Sequence, residues 1–223
     1  MINIVYVDDQ SSEISTFKWS FLRQVDDKYE VNILGIEPKY SLEDTYVEIF
    51  DSNKVDAVIV DFFLTDMAST NFNGAELINY ILHRNPLMPA FLLTAFQSDA
   101  IKSESIDVYH VYPKAILSKR QTNGEHESTF SDLVKKQINK SESKLKEAVR
   151  ELEKLIEDKQ IDNDWTIDKE DRLIELDNLL EKYGFSNSIP SLLKRDSNID
   201  KLVELIQVTR NLLDEISDEK ANT

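Results

Sequence analysis

The stretch AVIVDFFLTD, residues 57–66, places a carboxylate directly after four apolar residues. Four consecutive apolar positions, rich in β-branched residues, read as a strand buried on both faces. Asp61 then stands at the carboxyl end of that strand. An acid there is either a solvated strand tip or a group kept for its chemistry, and the flanking sequence bears on which. Upstream, INIVYV (2–7) runs into Asp8 and Asp9, and downstream AFLLTA (90–95) carries Thr94.

Two further runs, EVNILGI (30–36) and VYHVY (108–112), have the same length and the same β-branched or aromatic content. Helical patterns separate the five runs, at about 13–25, 42–52, 75–84 and 99–105. Ser41 and Asp44 have capping-box spacing at the start of the second, and Pro86 and Pro89 close the third. Alternating strands and helices predict an α/β fold, a five-stranded parallel doubly wound sheet of the flavodoxin-like type. In such sheets ligands bind beyond the carboxyl ends of the strands.

Past QTNGEHES (121–128) the pattern is helical only. Ile138, Glu142, Leu145, Val149, Leu152 and Ile156 follow spacings of four and three, the seam of a coiled coil or a helical hairpin. A second helix is predicted from Asp168, with Leu173, Leu176, Leu180 and Tyr183 on one side and Gly184 as its stop. Pro190 opens a short helical turn, and Ser197 with Asp200 caps a last helix bearing Ile199, Leu202, Ile206, Leu213 and Ile216. The expected domains are 1–122, α/β, and 128–223, an all-α hairpin or coiled-coil region for output or dimerisation.

Composition narrows the function. The chain of 223 residues has 42 acids against 26 bases, a net charge of −16. Residues 1–127 carry 20 acids against 10 bases, and residues 128–223 carry 22 against 16. A field of that sign repels phosphate backbones, so no nucleic-acid partner is expected. The chain has no cysteine, which removes disulfides, thiol catalysis and zinc–thiolate sites. No apolar run reaches the length of a membrane span, and MINIVYVDDQ lacks the features of a secretory signal. A cytoplasmic protein without membrane attachment is expected. His83, His110 and His126 lack metal-ligand spacing and read as structural or surface residues.

Neighbouring strands would bring Asp8, Asp9, Asp61 and Thr94 to one edge. Three close carboxylates repel one another unless a cation sits among them. A small set of oxygen ligands favours Mg²⁺ over Ca²⁺. Lys114, after the fifth strand, would add a second positive charge, and AILSK makes Lys119 a rival for that place. An acid nucleophile, a metal, a lysine and a hydroxyl donor are the parts that phosphoryl transfer to a carboxylate requires.

VYVDD, AVIVD, NGAEL (73–77) and FLLTA, in this order and spacing, resemble the receiver domain of two-component response regulators over residues 1–120. The resemblance implies that Asp61 is phosphorylated by a sensor histidine kinase or a phosphotransfer protein. It further implies that Asp9 binds Mg²⁺ directly, Asp8 binds it through water, and the Phe63 carbonyl adds a ligand. Thr94 would receive a phosphoryl oxygen and Lys114 would pair with it. Three departures stand out. The loop TDMASTNFNG (65–74) is enlarged, Pro113 precedes Lys114 instead of following it, and the usual aromatic switch position is Val111.

Two other classes are open in sequence. Haloacid-dehalogenase phosphatases also use an aspartate after a strand, with a second acid two residues on. That position is Phe63 here, so dedicated substrate turnover is not expected. A degenerate receiver acting as a phosphorylation-independent scaffold is the other. The helical stripe predicts either a homodimer, the favoured packing, or a hairpin within one chain. Phe63 and Phe96, flanking the approach of a hydrolytic water, predict a long-lived phosphoryl group.

Overall fold

Odd and even residues of the first strand go to opposite faces: Val5 and Val7 enter one apolar cluster, Ile4 and Tyr6 another. A sheet with two apolar faces needs helices on both, and the computed structural model has them. It describes residues 1–26, 28–51, 54–64, 70–95, 111–118, 128–161 and 165–183. The strands are β1 (Ile2–Val7), β2 (Val31–Ile36), β3 (Ala57–Asp61), β4 (Ala90–Thr94) and β5 (Val111–Pro113). All pair in parallel in the order β2-β1-β3-β4-β5. This is the expected doubly wound, receiver-like sheet, with β1 and β3 as neighbours at the centre.

Helices α2 (Leu42–Phe50) and α3 (Gly74–Arg84) cover one face, packing Ile49, Leu77, Ile78 and Ile81 on Val58, Val60 and Leu92. The N-cap of α2 is Ser41, which accepts from the Asp44 amide. The reciprocal capping box lies instead at α3. There the Asn73 side chain accepts from the Glu76 amide, and the Glu76 carboxylate accepts from the Asn73 amide. On the other face, α1 (Ser11–Leu22) buries Ile14, Phe17 and Phe21. A Cβ on Gly35 would lie 2.1 Å from Ile14 Cγ2, so the glycine admits α1 against β2.

Helix α4 (Phe130–Ile161) revises the domain reading. Its first turns belong to the sheet: Phe130, Val134 and Ile138 are buried with Ile59, Phe91 and Leu93. Phe130 meets Phe21, Phe91 and Tyr112 at ring distances of 6.0, 5.7 and 5.5 Å. Gln24, at the end of α1, donates to the Ile116 and Leu117 carbonyls and accepts from the Ser131 amide. The two compact units accordingly divide between Ser141 and Glu142, inside α4, and not in the 121–128 stretch. The polar sequence there hid a sheet-covering helix that begins two residues later.

In the second unit, α4 and α5 (Ile167–Glu181) form a hairpin. Val149, Leu152 and Ile156 bury against Leu173, Leu176 and Leu180. Lys159 joins Glu170 at 2.9 Å, and Arg172 meets Glu151 through two 2.8 Å bonds. The expected stripe is therefore not one seam. Ile138 serves the sheet, and Val149, Leu152 and Ile156 pack within the chain on α5, the hairpin arrangement. The predicted helix at 99–105, the start of the fifth strand at 108–110, and everything read from Gly184 to Ile216 lie outside the described residues. Among the described residues, no helix is long and apolar enough to cross a membrane.

Candidate functional site

Strand register brings the acids together. Val7 pairs with Val60, so Asp8 emerges beside Asp61, and Asp61 pairs with Leu93, one residue before Thr94. Thr94 in turn lies opposite Pro113, which precedes Lys114. Asp8, Asp9, Asp61 and Thr94 are all buried, at 1%, 7%, 5% and 0% exposure. Lys114 opens a 3-10 turn, Lys114–Ser118, and its ammonium lies 2.9 Å from Asp61 Oδ1 and 3.3 Å from Asp8 Oδ2. Of the two rival lysines, Lys114 thus stands in the acidic cluster; Lys119 lies outside the described residues.

Asp8 and Asp61 are also held by groups close to their own strand ends. Asp8 Oδ2 accepts from the Tyr6 hydroxyl at 2.7 Å, and Asp8 Oδ1 accepts from the Gln10 amide at 3.0 Å. Asp61 Oδ2 accepts from the Phe63 amide at 3.0 Å. Gly74, at the start of α3, donates to the Phe62 carbonyl at 2.9 Å. A Cβ on Gly74 would lie 1.9 Å from the Asp61 carbonyl oxygen. The NG of residues 73–74 is thus a capping residue followed by a glycine whose lack of a side chain lets α3 approach the acid.

Burial governs the electrostatics. It pushes the Asp61 carboxyl up to about 6, against the hydrogen bond and charge of Lys114, with the Asp8 charge adding to the rise. Burial raises Asp8 as well, opposed by Tyr6, Lys114 and Gln10. For Lys114, burial works downward, but Asp61, then Asp8 and Glu13, carry the ammonium above the ordinary lysine value. Tyr6 is held protonated by burial and by the Asp8 carboxylate that it donates to. Neither Tyr6 nor Glu13 was signalled by the sequence pattern.

The acids present hard oxygen donors, the kind that Mg²⁺ takes, and burial raises the carboxyls of Asp8 and Asp61, whose charge Lys114 leaves incompletely neutralised. In kind, the donor set fits a divalent ion. In spacing, no three His, Cys, Asp or Glu among the described residues form a group able to hold a metal, and the positive charge between Asp8 and Asp61 is that of Lys114. Phe63 is half-buried, its ring edge-on to Phe62 at 4.9 Å. Val111 is buried, and Tyr112 packs at 6.0 Å from Phe91, as part of the core. His83 is exposed near the end of α3; Phe96, His110, His126 and loop residues 65–69 lie outside the described residues.

No family model matches the chain, and no curated protein matches it. Among solved structures it is similar to the signal receiver domain of an HD domain-containing protein from Pseudomonas fluorescens Pf-5. The two share 18% identity with a TM-score of 0.37, over 51% of this chain and 82% of that one. It is similar also to a CheY-like response regulator receiver domain protein from Methanospirillum hungatei JF-1, at 17% identity and a TM-score of 0.42, over 65% and 98% of the two chains. RcsB from Salmonella enterica serovar Typhimurium, solved bound to promoter P1flhDC with the phosphomimetic BeF3-, matches at 17% identity and a TM-score of 0.42, over 95% and 92%.

Proposed function

We propose that the chain is a phosphorylation-dependent response regulator whose Asp61 accepts a phosphoryl group. The observation that carries this reading is the buried Asp61 carboxylate at the end of β3, 2.9 Å from the Lys114 ammonium and beside Asp8. A buried acid with a paired lysine and a neighbouring acid is an arrangement suited to a nucleophile that must later carry more negative charge.

The donor is a phosphohistidine of a sensor kinase or phosphotransfer protein. Ionised Asp61 attacks phosphorus through a carboxylate oxygen; the O–P bond forms as the P–N bond breaks, and the electron pair leaves with the imidazole. Lys114 neutralises charge on the transferred group, and the Thr94 hydroxyl, at the adjacent strand end, donates to one of its oxygens. Asp8, Asp9, Asp61 and the Phe63 carbonyl are the groups that would hold Mg²⁺. When bound, the ion supplies further positive charge at the phosphoryl oxygens.

The hairpin of α4 and α5 is the output element in this reading, acting through protein contacts and not on DNA. Its support is the acidic charge of residues 128–223. Turnover of a separate substrate is not part of the proposal, since Phe63 stands where a second catalytic acid would be needed. The scaffold alternative draws on the Pro113–Lys114 order, but that order leaves the ammonium within 2.9 Å of Asp61.

The test is direct. The full chain is incubated with Mg²⁺ and acetyl phosphate, and intact mass with peptide mapping locates any added phosphoryl group. Addition at Asp61, absent in Asp61→Asn, is the expected result; no addition favours the scaffold.

A further inference from the structure

An ammonium has three N–H donors, and Lys114 has three carboxylate partners. Beyond Asp61 at 2.9 Å and Asp8 at 3.3 Å, its Nζ lies 3.4 Å from Glu13 Oε2. The set is full. A phosphoryl oxygen gains a hydrogen bond from Lys114 only when one acid gives its place up.

The three acids differ in how readily they leave. Asp61 is the group that becomes covalently attached. Asp8 has 1% of its side chain exposed and is tied by Tyr6 and Gln10. Glu13 makes the longest of the three bonds, and 41% of its side chain is exposed, so water replaces what it loses. Its backbone is fixed, because α1 is packed through Phe17, stacked on Tyr6 at 3.9 Å, and through Ile14 against Gly35. Only the side chain needs to move.

We infer that Glu13 is a positioning residue that holds Lys114 in the resting site and releases it when a phosphoryl group, or an anion that mimics one, enters. The inference rests on the reading of Asp61 as phosphoacceptor. It has a consequence beyond that reading: Glu13 competes with the incoming anion, so its removal strengthens binding, whereas removal of Lys114 weakens it. The carboxylate let go lies on the wall of a cleft of about 430 Å³ between α1 and the 3-10 turn, lined also by Trp19, Arg23 and Leu117. Occupancy of Asp61 thus alters the charge of that cleft without any backbone change.

The experiment titrates beryllofluoride, with Mg²⁺ in excess, into the full chain, Glu13→Gln and Glu37→Gln. Bound fluoride is followed by fluorine NMR, and the Lys114 ammonium and Glu13 carboxyl carbon by nitrogen and carbon NMR. Glu37 is an exposed acid after β2, so its variant removes one charge at the same end of the sheet. The expected result is binding tightened about threefold or more by Glu13→Gln, the size of a partly exposed ion pair, with little change in Glu37→Gln. The Glu13 carboxyl carbon of the parent shifts on binding, and the Lys114 signal of ligand-free Glu13→Gln is already displaced from that of the parent. Equal tightening in both variants, or none in Glu13→Gln, overturns the inference and leaves the acceptor reading standing. A parent with no bound fluoride signal refutes the acceptor reading itself, and the inference falls with it.

Discussion

Lys114 Nζ stands 2.9 Å from Asp61 Oδ1 although β4 lies between the strands that carry them. The reach is made by a long side chain starting at the first residue after β5. Lys114→Ala leaves Asp8 and Asp61 facing each other with no ammonium between them. Breaking a buried pair of this kind costs about 3 kcal/mol at pH 8. At pH 5 Asp61 takes up a proton and the loss shrinks. Urea denaturation at the two pH values checks this; an equal loss at both counts against the pairing.

Asp61 gives the parent a pH dependence of definite sign. Its carboxyl titrates at about 6 in the folded chain, above the ordinary value of about 3.9 for an unfolded aspartate. Between those values the folded state binds more protons, so stability falls as pH rises from about 4 to about 6, by about 3 kcal/mol in all. Asp8, also raised, works in the same direction. Asp61→Asn should flatten the fall and exceed the parent in stability at pH 7.5, as read from thermal midpoints. Acceptance of phosphoryl from acetyl phosphate should decline on the acid side of pH 6, where the nucleophile is protonated.

Gly74→Ala should damage fold and site together. The new methyl group would sit 1.9 Å from the Asp61 carbonyl oxygen, so α3 must retreat from β3. The expected destabilisation is about 1–3 kcal/mol, the range for overpacking. Beryllofluoride affinity should drop in the same variant. A neutral Gly74→Ala would mean that the close approach is dispensable.

Phe63, half-buried against Phe62, offers no group to orient a hydrolytic water. The phosphoryl group on Asp61 should therefore persist, and Phe63→Asn should shorten its life several-fold, each factor of ten being about 1.4 kcal/mol of barrier. Loss of phosphate after removal of donor, followed by intact mass, measures it. An unchanged lifetime assigns control elsewhere.

The two units should respond separately to truncation of their cores. Phe130→Ala removes a ring wedged among Phe21, Phe91 and Tyr112, at a cost of about 3–5 kcal/mol. Leu152→Ala, in the hairpin, costs about 2–5 kcal/mol. Hydrogen exchange by mass spectrometry should show faster exchange in β1, β3 and β4 for the first, and in α5 and residues 142–161 for the second. Sedimentation of the parent should give a monomer, since the hairpin already satisfies the apolar stripe within the chain.

The strand ends were legible because buried parallel strands are unbroken apolar runs, and an acid after such a run is conspicuous. Asp8, Asp61 and Thr94 were found that way, and the alternation of strands and helices pointed to the parallel, doubly wound sheet; the order β2-β1-β3-β4-β5 is seen in the structure. The α3 capping box, Asn73 to Glu76, is equally present in the letters, beside the more conspicuous Gly74. Glu13 was not legible. It lies in an ordinary amphipathic helix, and only tertiary packing carries it to a lysine 101 positions away. The first turns of α4 were obscured differently: Phe130, Val134 and Ile138 follow a polar stretch that reads as a boundary and share one helix with residues of another cluster, so a division at 121–128 separates them from the sheet that they cover.

That shared helix bears on how such a chain is put together from interchangeable pieces. Recombination that trades one companion segment for another works best where the cut falls between cores. A crossover in 121–128 would carry Phe130, Val134 and Ile138 away with the departing segment and strip three large side chains from beneath the sheet. A crossover after Ser141 would spare them, but the newcomer must then begin as helix, continuing a backbone already wound. The sheet unit can therefore accept a new companion only from among segments that start in mid-helix, a restriction written into the chain by a single continuous element.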